Sequence, residues 1–281
     1  MRKRKNVVVF MPVAKTSLDT DFFITYLRTR AHLQSYMDKL PWDVNILEWP
    51  DRNFPIDANR NVCAQLLMDG FPIKGGLTFQ ADISIWLDTD HTIPDHTLYQ
   101  LLQHDKPIML GVYYVKVPDR EHPFYPVLFK KREDNDDLFR AVMEYPEKEI
   151  FEVDFAGMGC ACIHKEVFEK LERPYFKYMT HPLGTMDPMS EMKHKNDIQD
   201  ISEDRWFWDQ VRTKTSYPIL VDPSIQLGHI GRMVFDQHMY RAYLKEFKDR
   251  RRKIEGDEKF EETWTKMAVA LPYKELVAVA K

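Results

Sequence analysis

The sequence predicts an α/β fold: a mostly parallel open sheet flanked by helices, followed by a helical, charged C-terminal extension. Two observations carry this expectation. Short apolar runs alternate with segments of helical period from Val7 to Val115. One of those runs, Ile83-Ser84-Ile85-Trp86-Leu87, stops abruptly at Asp88-Thr89-Asp90-His91. In an open α/β sheet, ligands bind at the carboxyl ends of strands, so these carboxylates belong at a cleft.

The elements follow in order. Val7–Met11 is a buried first strand closed by Pro12. From Leu18 to Leu40 apolar residues recur at helical spacing: Phe22, Phe23, Tyr26, Leu27, then Leu33, Tyr36, Met37 and Leu40. Val44, Ile46 and Leu47 mark a second strand, and Ala58 to Met68 a helix with Val62, Leu66 and Leu67 inward. After the 83–88 strand, Pro94 opens a short helix carrying Leu98, Leu101 and Leu102. Pro107–Val115 is another strand. Residues 116–150 are less regular, with Pro118, Pro123, Pro126 and a polar run from Lys130 to Asp137. Cys160 and Cys162 alternate along a further strand, so both side chains share one face. Residues 178–200 read as a long polar loop, functional or disordered. Strand-like Pro218–Val221 and Ile225–His229 precede a helical tail, which divides the chain into residues 1–232 and an extension over 233–281 packed on them.

Composition narrows the class. A net charge of −4 is too mild to select or reject a nucleic-acid partner. The basic clusters Met1–Lys5 and Lys248–Lys253 are more often a solvated terminus and a helix face than binding sites. Three cysteines with no signal peptide point to free thiols in a reducing, cytoplasmic setting. No zinc-ligand spacing is present, and no apolar stretch approaches the roughly 20 residues of a membrane span.

The chemistry concentrates in four places. Asp88 and Asp90 repel one another unless a cation sits between them, and hard oxygen ligands suit Mg²⁺ or Mn²⁺. The plainer reading of that triplet is a turn with solvated acids. Asp154-Phe-Ala-Gly-Met-Gly159 sets two glycines at a strand start, where backbone can approach a ligand, or simply bend. Ser202-Glu203-Asp204 starts a helix, with Ser202 as N-cap, which by itself explains the acids. Gly228-His229-Ile230-Gly231 ends a strand on a histidine between glycines.

In this order and spacing the chain resembles a GT-A glycosyltransferase, similar to family 2 and to compact phage and bacterial enzymes that use nucleotide-sugar donors. The resemblance runs from about Val7 to Arg232. Its parts are Met11-Pro12-Val13, Asn59-Arg60-Asn61, Asp88-Thr89-Asp90 with its following "IP", Gly157-Met158-Gly159, Glu203-Asp204 and His229. It implies that Asp90 binds the metal directly, that Asp88 assists through water or the donor ribose, and that His229 is a third ligand. Pro12, Val13 and Arg60 would lie along the donor, with Val13 at the base. Gly157 and Gly159 would line the sugar and acceptor side. Asp204 would be the catalytic base of an inverting enzyme, with Glu203 beside it. The implied cofactor is Mn²⁺ or Mg²⁺, and the implied donor a UDP-sugar. The acceptor is open, a modified base in DNA being one class. A phage-encoded chain would work in the host cytoplasm. His91 departs from the pattern and receives no role.

The helix start also carries two expectations about Asp204. Its N-terminal field should hold the carboxyl ionised. Adjacent side chains about 100° apart should not both aim at one acceptor hydroxyl, which favours Asp204 over Glu203 as the base. Two rivals share the α/β frame. A nucleotidyltransferase would show a glycine-rich loop after the first strand, where this chain has Pro12-Val13-Ala14-Lys15-Thr16. A degenerate, non-catalytic sugar- or nucleic-acid-binding module would not need all of these acids.

Overall fold

A computed structural model of the chain describes residues 2–13, 18–51, 55–114, 125–132, 139–181, 199–231 and 234–270. Pro118 and Pro123, most of the 178–200 loop and the boundary at Arg232 lie outside the described residues.

The centre is a seven-stranded sheet. Its order is Phe151–Val153, Ile219–Gln226, Ile108–Val112, Cys160–His164, Ile83–Leu87, Arg4–Pro12 and Asp43–Asp51. Arg4–Pro12 runs parallel to both of its neighbours, and Ile219–Gln226 parallel to Ile108–Val112. Cys160–His164 opposes the strands on either side of it, and Phe151–Val153 opposes Ile219–Gln226. The sheet is therefore mostly parallel with two reversed members, the Rossmann-like, GT-A-type architecture expected. The reversal of Cys160–His164 matters for function. Cys160 pairs with Leu87, so Gly157–Gly159, which precede that strand, lie at the same end as Asp88.

Alternation builds two cores, one on each face. Val7, Val9, Met11, Ile83, Ile85, Leu87, Cys160 and Cys162 line one, and Val8, Phe10, Trp86, Ala161 and Ile163 the other. The shared face expected for the two cysteines is what the strand shows, and both thiols are free and buried.

One helix, Ile56–Asp69, buries a face other than the one expected. Thr20–Tyr36, capped by Asp19 accepting from the Asp21 N–H at 2.9 Å, buries Phe22, Tyr26 and Leu33. Phe23 and Leu27, on its other side, are about half exposed (48% and 50%). Ile56–Asp69 buries Asn59, Arg60, Cys63, Ala64 and Leu67, and Val62 faces out. The helix is turned toward its polar side because Asn59 and Arg60 find partners there: the Asn59 amide donates to the Asp51 carbonyl at 3.0 Å, and Arg60 meets carboxylates.

Part of the irregular middle is ordered. Leu128–Lys131 pairs with Phe139–Glu144 in a second, four-stranded sheet completed by Phe155–Ala156 and Ala268–Ala270. The helices Gln237–Glu255 and Asp257–Met267 send Tyr240, Phe260 and Trp264 into the main core. No helix among the described residues is long and apolar enough to cross a membrane.

Candidate functional site

The acids of the site converge on one arginine. Arg60, 3% exposed, sends Nη2 to Asp88 Oδ1 at 3.0 Å and Nη1 to Glu203 Oε1 at 2.6 Å. The same Nη1 also pairs with Asp204 Oδ1. Glu203 and Asp204 open the helix Glu203–Lys214, with Ser202 capping it by accepting from the Arg205 N–H at 3.4 Å. The cap is as expected, and both acids reach the same guanidinium. Their side chains leave the helix in different directions and still reach a common cation, because Arg60 lies directly over the first turn. Tyr178, about half exposed, hydrogen-bonds Glu203 through its hydroxyl. Nothing in the sequence near Tyr178 signals that contact.

Burial would lower the Arg60 pKa, but Asp204, Asp88 and Glu203 outweigh it and raise it further, so the guanidinium stays charged. Asp204 behaves otherwise than expected. Burial pushes its carboxyl up to about 8, against Arg60, with Glu203 and Asp88 adding to the rise. The Met158 N–H, donating to Asp204 Oδ2 at 3.2 Å, pulls the other way. Desolvation thus outweighs the field of the helix start.

A second cluster sits beside the first. His91–Thr92 and Gly228–Ile230 form a short antiparallel ladder in which His91 and His229 are direct partners. Asp90 precedes His91, and its carbonyl accepts the Ile230 N–H at 2.7 Å. Asp90, His91 and His229 each bring one ligand atom within 4.8 Å of the others. The His229 Nδ1 donates to the Tyr114 carbonyl at 2.8 Å, which turns Nε2 toward Asp90 Oδ2 at 3.4 Å. Such an outer hydrogen bond fixes the tautomer that a ligating imidazole needs. Burial, with His229 nearby, pulls the His91 pKa down to about 4, so its ring is neutral at pH 7. Two imidazoles and a carboxylate are a donor set that suits a divalent transition metal. Asp88, expected among the ligands, is outside this cluster and is instead paired with Arg60.

The Gly157–Gly159 segment joins the two clusters. A Cβ on Gly159 would lie 2.5 Å from His91 Cε1 and 2.9 Å from Asp88 Oδ2. A Cβ on Gly157 would lie 1.7 Å from the Tyr113 hydroxyl, which itself accepts the Gly159 N–H at 3.3 Å. Only glycine leaves room here for both clusters. Gly159→Ala should therefore displace His91 and destabilise the fold by about 1–3 kcal/mol, read as a fall in urea midpoint. A variant as stable as wild type would mean the segment has slack that this geometry denies.

Pro12 and Val13 end the first strand at the same edge. The Pro12 carbonyl accepts the Thr89 hydroxyl at 3.1 Å, and the Val13 N–H donates to the Asp51 carbonyl at 2.7 Å. Pro12, Val13, Asp88, Asp90, Gly157 and Gly159 therefore lie at one end of the sheet, with Arg60, Glu203, Asp204 and His229 in contact with that end.

No protein-family model matches the chain, and no curated protein matches it. Solved structures similar to it include A197 from STIV, at TM-score 0.45 and 15% identity over 80% of this chain and 86% of that one. GalNAc-T7 with UDP, GalNAc and Mn²⁺ is similar at TM-score 0.40 and 12% identity, over 82% of this chain and 44% of that one. The inositol-1-phosphate CTP transferase from T. maritima is similar at TM-score 0.34 and 11% identity, over 79% and 86%. At scores this low the likenesses carry no functional weight, and the chemistry rests on the residues.

Proposed function

We propose that the chain is a metal-dependent glycosyltransferase that moves a sugar from a nucleotide-diphosphate sugar, a UDP-sugar first among them, to a hydroxyl acceptor. What supports the reading is one juxtaposition. An acid cluster on Arg60 and an Asp90–His91–His229 cluster meet on the glycine-walled segment at the carboxyl end of the sheet. A divalent ion, Mn²⁺ or Mg²⁺, held by Asp90 and His229 would supply Lewis-acid stabilisation of the departing diphosphate. Pro12 and Val13 place backbone along the donor base. Asp88, held by Arg60, orients the donor ribose or a water. Arg60, too buried to line the donor, acts on it through Asp88. Gly157 and Gly159 let backbone approach the sugar. Asp204 takes the acceptor proton, and Glu203 shares Arg60 with it. Residues 1–232 carry this machinery and 233–281 form an extension of it, in a cytoplasmic enzyme.

The first test is a donor screen. UDP-, GDP- and TDP-sugars are incubated with Mn²⁺ and followed by NMR without acceptor. Slow, metal-dependent hydrolysis of one donor is expected. Pyrophosphate release from a nucleoside triphosphate and a sugar phosphate would favour a nucleotidyltransferase instead, and binding with no turnover a recognition module. Within the reading, Asp90→Ala abolishes Mn²⁺-dependent nucleotide binding while the fold survives, since a carboxylate one third exposed (33%) at a strand tip is not core. His229→Ala weakens Mn²⁺ affinity by about 10-fold or more. Full activity of Asp90→Ala in EDTA would sink the proposal.

A modified base in DNA stays among the acceptor classes. The C-terminal arginines are the groups that would track phosphates, and each is already ion-paired. Arg250 meets Glu246 at 2.8 Å, Arg251 meets Glu255 at 2.5 Å, and Arg252 meets Glu261 at 3.0 Å. DNA binding through this helix would have to exchange those pairs, and would weaken steeply with salt.

A further inference from the structure

The buried histidine after the two aspartates is the least explained group in the site. His91 is 0% exposed, and its ring nitrogens make no well-formed hydrogen bond, the Asp88 backbone being a marginal partner at most. A buried imidazole loses its hydration unless something else binds it, and native structures rarely leave such a ring with so little. Its neighbours are not chance packing. The ladder sets His91 opposite His229, and directly opposed residues of an antiparallel pair project to one face. Their ring centroids are 4.6 Å apart and tilted by 48°. Gly159 and Tyr113 wall the His91 ring, the latter at 4.5 Å between centroids. Asp90 lies on the open side, with Oδ2 at 3.4 Å from His229 Nε2.

Resting on the reading of a metal-dependent transferase, we propose that His91 is a protein ligand of a preformed two-histidine, one-carboxylate metal centre with Asp90 and His229. Asp88 lies outside that centre. The ligand atoms sit within 4.8 Å of one another. An octahedral face with bonds of about 2.1 Å has edges of about 3 Å, a contraction within reach of side-chain rotation. Three ligands on one face leave the opposite face for phosphate oxygens and water. Two consequences separate this centre from a pair of carboxylates. It binds its ion before any nucleotide arrives, because the chain alone supplies three ligands. It also selects Mn²⁺, Co²⁺ or Zn²⁺ over Mg²⁺, whose preferred partners are oxygens.

The test uses Mn²⁺ alone, titrated into the full chain and read by EPR. One Mn²⁺ per chain is expected without nucleotide, little displaced by a tenfold excess of Mg²⁺, and pulsed EPR should show two imidazole nitrogens on the bound ion. His91→Gln should leave one nitrogen and weaken Mn²⁺ at least tenfold. Asp88→Asn should keep both nitrogens and an affinity within about threefold. The nitrogen count on the unmodified chain decides the matter even if His91→Gln fails to fold. One nitrogen, or Mn²⁺ that binds only once UDP is added, overturns the preformed centre and leaves the transferase reading standing. Two nitrogens on a chain that then takes up no nucleotide overturn the transferase reading and leave the centre standing.

Discussion

Asp204→Asn is expected to lower kcat by about 10²–10⁴-fold, the usual loss when a general base is removed. Nucleotide affinity should be nearly unchanged, because the proposed reading gives Asp204 the acceptor and not the donor. The amide keeps the shape and a contact from the Met158 N–H, and it removes the basicity. The raised carboxyl pKa, about 8, adds a pH signature. Only the ionised form accepts a proton, so kcat of the unmodified enzyme should climb with pH until it levels near 8. The residual activity of Asp204→Asn should lack that limb. Stability carries the opposite sign. The folded state holds the Asp204 proton more tightly than the unfolded state, so this contribution is full below the unfolded value near 4 and fades as pH rises through 8. Melting curves of the two forms should therefore draw apart from about pH 4 to about pH 8 and run parallel above it, the variant gaining. Near-normal turnover by Asp204→Asn would move the base to Glu203 or point to a retaining reaction, and anomeric NMR of the product separates those two.

Arg60→Met should destabilise the fold by about 3–5 kcal/mol, the range for removing one partner of a buried ionic cluster. Asp88, Glu203 and Asp204 would then face one another with no cation, their side chains 27%, 7% and 17% exposed. The loss should shrink as pH falls, because protonating those carboxyls relieves the repulsion. Arg60→Lys keeps the charge and gives up the planar fork, so it should fall between the two. Urea midpoints at pH 5 and pH 8 make the comparison. A loss equal at both pH values would mean that packing, not charge, holds Arg60 in place.

The strands were legible because alternation and burial agree. Val7–Met11, Ile83–Leu87 and the Cys160–Cys162 pair each place successive residues in opposite cores, as a period of two requires. Asp88 and Asp90 were legible as an abrupt change from apolar to charged at a strand tip. The buried face of Ile56–Asp69 was not. Apolar spacing selected Val62, and the fold buried Asn59 and Arg60 instead, because their partners come from Asp51, Asp88 and Glu203. No local pattern carries that information. His91 escaped for the same reason. Its significance comes from its register opposite His229, set by a ladder between segments far apart in the chain. The pKa of Asp204 was misjudged because the helix start is visible in sequence and the desolvation is not.

The most direct measurement of the central claim is calorimetric titration of UDP into the full chain, with Mn²⁺ and then with EDTA. The account predicts one UDP site per chain with Mn²⁺, its loss in EDTA, and its loss in Asp90→Ala with Mn²⁺ present. Equal UDP binding in Mn²⁺ and EDTA, or no binding of UDP, GDP or TDP in either, would contradict it.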